Sequence, residues 1–360
     1  MHGETESALV DADQQQVRNP PDSNAIGEQV LCAHGGRSLR EEAVGDDGAA
    51  RPWKDLQRQF EDYIMTQDAA RETWQAEKGI SPTSHRFTPE YADRVYGETH
   101  GGLRWLRDNA PADAAPLRTA LITLTGWPFD GDGEPAPPVE FLQGLAAGRQ
   151  HVLDGLRRRL DGRESIRTWG YCWLLEPHDQ RGHGDRRRGY PHCQIGVAAV
   201  GDLTRDDVAD LVLADGDEDG NSPYLRGNPF ARPHDHGAEA VTVHKQGDDA
   251  DGDAAMSLAD ELTNGLLGYR FDLGNRHVSD VPLAYRRLAS LLWATNTPSV
   301  SRGGDFAEWV ERSQQEYDPP EDSTPDAEVD PSVFDNAVGT DWVVSEPVDV
   351  GYSFPEGYEQ

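Results

Sequence analysis

The stretch that most constrains the fold is residues 190–200, YPHCQIGVAAV. A run this short, apolar and bounded by glycine and proline reads as a strand rather than a helix. Period 2 puts Cys193, Ile195, Val197 and Ala199 on one face, which packs on helices, and His192, Gln194, Gly196 and Ala198 on the other. The upstream segment 167–176, RTWGYCWLLE, reads as a second strand, with the loop 177–189, PHDQRGHGDRRRG, between them. If the two strands pair antiparallel through that loop, Glu176, which ends the face carrying Cys172 and Leu174, comes near His192.

The flanking chain supplies helices and further strands. Residues 53–78 place Trp53, Leu56, Phe60, Ile64 and Trp74 near a 3.6-residue period, which predicts a helix. Residues 119–126, TALITLTG, predict a buried strand. Residues 138–161 form an amphipathic pattern through Phe141, Leu142, Leu145, Val152, Leu156 and Leu160. Thr204 and Asp207 fit a capping box that opens a short helix. Residues 240–244 read as a third strand of this kind, and 256–268 and 280–296 as helices. The expected fold is α/β of the α+β kind: a central antiparallel sheet with flanking helices. Residues 1–50 are expected to be disordered, 51–312 to fold, and 313–360 to be an acidic tail.

Charge narrows the setting. The chain has 65 acidic and 33 basic side chains, a net charge of -32, and its only lysines are Lys54, Lys78 and Lys245. Near-absent lysine beside ordinary arginine resembles proteins of salt-in halophilic archaea. In such salt, where the Debye length falls to about 3 Å at 1 M, the self-repulsion is largely screened. No run of residues is apolar enough to span a membrane, the first residues lack a signal-peptide pattern, and Cys32, Cys172 and Cys193 form no CxxC pair. A cytoplasmic protein with no membrane partner is expected.

The chemistry-bearing pattern is His192 and Gln194, two apart on a strand and about 7 Å between Cα atoms, with Glu176 as a third donor. A carboxylate, an imidazole and an amide oxygen suit Mg2+ or Mn2+ better than Zn2+. The same residues also suit a hydrogen-bonded strand start. His178 and His183 read as solvent-exposed loop residues, and His234 and His236 as loop residues in a Pro-, Gly- and Asp-rich stretch.

LITLTG at 121–126, LLEPH at 174–178 and GYPHCQIGV at 189–197 resemble the rolling-circle replication initiators of haloarchaeal plasmids and small viruses, members of the HUH endonucleases. LLWATN at 291–296 and the following Ser301-Arg302 fit the same pattern, so the resemblance covers roughly residues 117–304. It implies an HUH-nuclease-like sheet, a Mg2+ or Mn2+ ion held by His192, Gln194 and Glu176, and nicking of single-stranded origin DNA through a 5′-phosphotyrosyl intermediate. The nucleophile would be Tyr269, in GLLGY at 265–269. Arg186, Arg187 and Arg188 would hold DNA beside the metal, and a host helicase would be a partner, since the chain has no phosphate-binding GxxxxGK[ST] loop. The chain departs from the family where Gln194 replaces a histidine, Gly265 a first tyrosine and Gly268 a lysine. These departures leave a second reading: a catalytically degenerate relative that binds DNA or regulates.

Overall fold

The computed structural model describes residues 29–32, 39–78, 86–110, 116–129, 134–178, 189–213, 222, 224–233, 240–247, 252–264, 266, 271 and 278–317. The chain divides into Met1–Ser323 and Thr324–Gln360, and every described residue belongs to the first unit. The elements are α1 (Trp53–Lys78), α2 (Pro89–Asn109), β1 (Leu117–Thr125), α3 (Pro138–Leu160), β2 (Ile166–Pro177), β3 (Pro191–Gly201), α4 (Arg205–Ala209), β4 (Arg232–Pro233), β5 (Val241–Lys245), α5 (Ala254–Asn264), α6 (Leu283–Thr295), β6 (Val300–Gly304) and α7 (Phe306–Tyr317).

Six strands form one antiparallel sheet. β3 is central, between β1 and β2; β6 lies outside β2, and β4 and β5 share the outer edge of β1. The register is the one the alternation predicts: Ile195 stands opposite both Ile122 and Trp173, and Gln194 opposite both Thr123 and Leu174. The Cys193 face, with Ile122, Leu124, Trp173 and Ile195, packs under α3 and α6 and joins α1 in the largest core.

The His192 face is also covered. Cys172, Ala198 and Val200 pack under α2, α5 and α7, while Leu174 packs with Ala92, Val95 and Leu266. Gly196 permits this approach, because a Cβ there would lie 2.5 Å from Leu262 Cδ1. Arg302 of β6 fastens α2 to the sheet, pairing with Glu98 and donating to the Val95 carbonyl at 3.3 Å.

α2, β6 and α7 are additions to the sequence-based element list. Thr88 caps α2, accepting from the Tyr91 amide, and Pro89 occupies its first turn. The paired glycines inside it look like a break, yet a Cβ on Gly102 would lie 2.9 Å from Val310 Cγ2, so the small residue lets α7 approach. The capping box of Thr204 and Asp207 is present, opening α4. The helix expected over 256–268 ends at Asn264.

The outer boundaries also differ from the expected ones. Within the stretch expected to be disordered, residues 29–32 and 39–50 are described, and Leu31 and Ala43 there are fully buried in the main core. Apolar side chains spaced that far apart show no periodicity, yet each fills a core site. At the other end α7 continues through 313 to Tyr317. No described helix is long and apolar enough to cross a membrane.

Candidate functional site

The segment Gly189-Tyr190-Pro191-His192 builds the site, each residue for its own reason. Gly189 has φ 97°, and a Cβ there would meet Arg287 Cβ at 2.7 Å, so both backbone and space demand glycine. Tyr190 is an anchor: it is fully buried, its ring stands edge-on to Trp53 and Phe141, and its hydroxyl donates to the Ala136 carbonyl at 2.6 Å. Burial pushes its phenol pKa well above the ordinary value. Pro191 begins β3, a strand position that tolerates the missing N–H. His192 is then the first side chain on the opposite face from Cys193.

The β2–β3 pairing sets Glu176 directly opposite His192, with Oε2 and Nε2 3.0 Å apart. Two adjacent ligands of an octahedral ion, each about 2.1 Å from it, are also about 3.0 Å apart. The spacing therefore serves either a direct hydrogen bond or a shared ion. Both side chains are mostly buried, 16% and 13% exposed. His192 Nδ1 and Gln194 Oε1 are buried with no hydrogen-bond partner among the described residues. A native structure leaves few such atoms, because each costs about 1–3 kcal/mol. Unpartnered nitrogens also occur on Arg94 and Arg302, but here two such atoms stand on neighbouring positions of one strand face. Among the described residues no three His, Cys, Asp or Glu side chains gather as a metal-ligand group. Gln194 Oε1 is the buried oxygen that would stand beside Glu176 and His192 in a ligand set here.

The sequence reading missed two neighbours. His178, expected to be solvent-exposed, is buried. The hairpin continues past β2 through its backbone N–H, which donates to the Tyr190 carbonyl at 2.9 Å. That extra pair puts the His178 ring 5.0 Å from the His192 ring and its Nε2 2.7 Å from Thr125 Oγ1 at the end of β1. The surrounding Arg- and Gly-rich composition concealed this. Thr125 is likewise buried. The site is a band of polar side chains across the ends of β1, β2 and β3; farther along that face lie apolar Cys172, Ala198 and Val200, with Thr119 and the Glu98-paired Arg302 among them.

Tyr269, Arg186, Arg187, Arg188, His183, His234 and His236 lie outside the described residues. The nearest described residue to Tyr269 on its N-terminal side, Leu266, packs with Leu174, which stands directly opposite Gln194. Tyr224 and Tyr285 pack against the core of the Cys193 face instead. Tyr91 adjoins Leu174 and Leu266, but burial raises its phenol pKa despite the nearby Arg302, Arg94 and Arg86 guanidiniums. Burial also pushes the Cys193 thiol up to about 12, which disfavours the thiolate at neutral pH.

Comparison with known proteins gives a consistent setting. The family model described as "Putative rep protein (DUF1424)" matches residues 36–329. An "Uncharacterized 36 kDa protein" of Halobacterium sp. (strain GN101) is 30% identical over 186 residues, 50% of this chain and 54% of the relative. Another "Uncharacterized 36 kDa protein", from Halobacterium salinarum, is 25% identical over 279 residues, 74% of this chain and 79% of the relative. The chain thus spans about half the length of the first of these relatives. No solved structure matches.

Proposed function

The chain belongs to the family described as putative rep proteins, and from that premise we propose that it is a rolling-circle replication initiator that nicks single-stranded origin DNA. The observation that carries the reading is the pair of unpartnered buried atoms, His192 Nδ1 and Gln194 Oε1, beside Glu176 on one strand face. Halobacterium relatives and a lysine-poor net charge of -32 support a protein working in concentrated salt.

On this reading His192, Gln194 and Glu176 would hold Mg2+ or Mn2+ in an HUH-endonuclease site. When bound, the ion polarises a phosphoryl oxygen and stabilises the charge developing on it. Thr125 and His178 brace the His192 side of the site through their 2.7 Å hydrogen bond. The Tyr269 phenol oxygen attacks the scissile phosphorus, its proton passing to solvent. The bond from phosphorus to the 3′ oxygen breaks and that oxygen takes up a proton, leaving a free 3′-hydroxyl and a 5′-phosphotyrosyl enzyme. Leu266 beside Leu174 supports the Tyr269 assignment, because it brings the segment before the tyrosine to Gln194's neighbour. Arg186, Arg187 and Arg188, in the loop between Glu176 and His192, would hold the strand, and a separate helicase would unwind the duplex.

The test is a denaturing gel of protein joined to a labelled origin-strand oligonucleotide, in molar KCl with Mn2+. The parent should form an adduct, and Tyr269→Phe should remove it while leaving Mn2+ binding unchanged. Gly265 and Gly268, in place of a family tyrosine and lysine, favour slow nicking. A parent protein that binds the strand but forms no adduct would instead support the DNA-binding, non-nicking reading.

A further inference from the structure

We propose that Trp127 is a stacking platform for a base of single-stranded nucleic acid, with Arg232 beside it as a phosphate contact, at the rim of the His192–Gln194 site. The inference rests on the initiator reading above and adds the residues that grip the strand.

Trp127 is 37% exposed, whereas Trp53, Trp293 and Trp309 are buried to 2% or less. At that exposure part of the indole surface still meets water. Its place in the chain gives that exposure a use. Trp127 is two residues beyond Thr125, whose hydroxyl bonds His178, whose ring lies 5.0 Å from His192.

The platform is held rather than loose. Gly126 lies against the Phe230 backbone, and a Cβ there would come within 2.5 Å of the Phe230 carbonyl oxygen. Pro128 restricts the preceding Trp127 to extended backbone. Phe129 stands edge-on to the indole at 5.3 Å, and is itself bridged to Pro135. A rigid aromatic surface gives up little entropy when a base stacks on it.

Arg232 supplies the second half. It stands directly opposite Thr125 in the β1–β4 pairing, so the two side chains leave the same side of the sheet. It is exposed and forms no ion pair with a described carboxylate. It lies at the same strand end as the site, in a chain with 65 acidic side chains. The combination suits concentrated salt: counterion release is weak there, while stacking on an aromatic face persists and tolerates any base.

The experiment measures anisotropy of labelled oligo-dT and of an abasic strand of equal length, in molar KCl with Mn2+, using the full chain. Trp127→Ala should weaken oligo-dT binding by roughly tenfold and leave the abasic strand unaffected. Trp127→Phe should recover most of the loss, and Arg232→Gln should weaken both strands. Trp127→Ala binding oligo-dT as the parent does would overturn the stacking role and leave the initiator reading standing. Equal loss on both strands would overturn it too, assigning the residue to the fold or to a protein contact. A parent that binds neither strand would remove the initiator reading and this inference with it.

Discussion

The two faces of the sheet differ in how they are finished. On the Cys193 face the alternation runs unbroken: Cys193, Ile195, Val197 and Ala199 are all fully buried beneath α3 and α6. On the other face the same strand is apolar only from Gly196 onward, and its first two outward positions are His192 and Gln194. Both ends of that face are covered, and at the His192 end two neighbouring strand positions leave buried side-chain atoms with no hydrogen-bond partner among the described residues. Packing alone would have placed apolar side chains there, as it does two residues on. The contrast sets residues that fill the core against residues whose buried polar atoms find no partner among the described residues.

That contrast can be broken by substitution, with the largest effect on the apolar face. Ile195→Ala should lower unfolding free energy by about 2–5 kcal/mol, read from denaturant melts in molar KCl, without altering Mn2+ affinity of the folded protein. Gln194→Leu should do the opposite. Replacing an unpartnered buried amide by an apolar group of similar size removes a cost of about 1–3 kcal/mol, so the melt should shift upward or stay put while Mn2+ binding weakens. A strongly destabilised Gln194→Leu would mean that the amide is a structural residue.

The smallest effect belongs to the capping box that opens α4. Burial alone would raise the Asp207 carboxyl, but hydrogen bonds from Arg163 and Thr204 outweigh it and hold the group below its ordinary value. A depressed folded-state pKa stabilises above the unfolded value and is lost as pH falls through the folded one. Asp207→Asn should therefore lower stability modestly near neutral pH, by roughly 0.3–1 kcal/mol as for a carboxylate in the first turn of a helix. The difference from the parent should fade as pH drops through and below the ordinary aspartate range. A difference that persists in acid would assign the loss to shape rather than charge.

The comparison also explains what the sequence could and could not reveal. The Cys193 face was legible because period 2 over Cys193, Ile195, Val197 and Ala199 leaves one register that buries them all. The same register put Glu176 opposite His192, as the antiparallel reading required. α2 was hidden by Gly101 and Gly102, which look like a break but are contact points for Ser313 and Val310 of α7. β6, Val300–Gly304, has no alternation to read; it is held by pairing with Gly170–Leu174 and by Arg302. His178 was misplaced because its burial comes from one further backbone pair beyond β2, which composition does not encode.

The central claim is that the polar end of the His192 face is a divalent-metal site. It is tested most directly by calorimetric Mn2+ titration of the full chain in molar KCl, comparing the parent with His192→Ala and Gln194→His. The parent should bind one ion, His192→Ala should lose it, and Gln194→His, which offers a stronger donor, should bind more tightly. Equal binding by all three proteins would place the ion elsewhere and contradict the account.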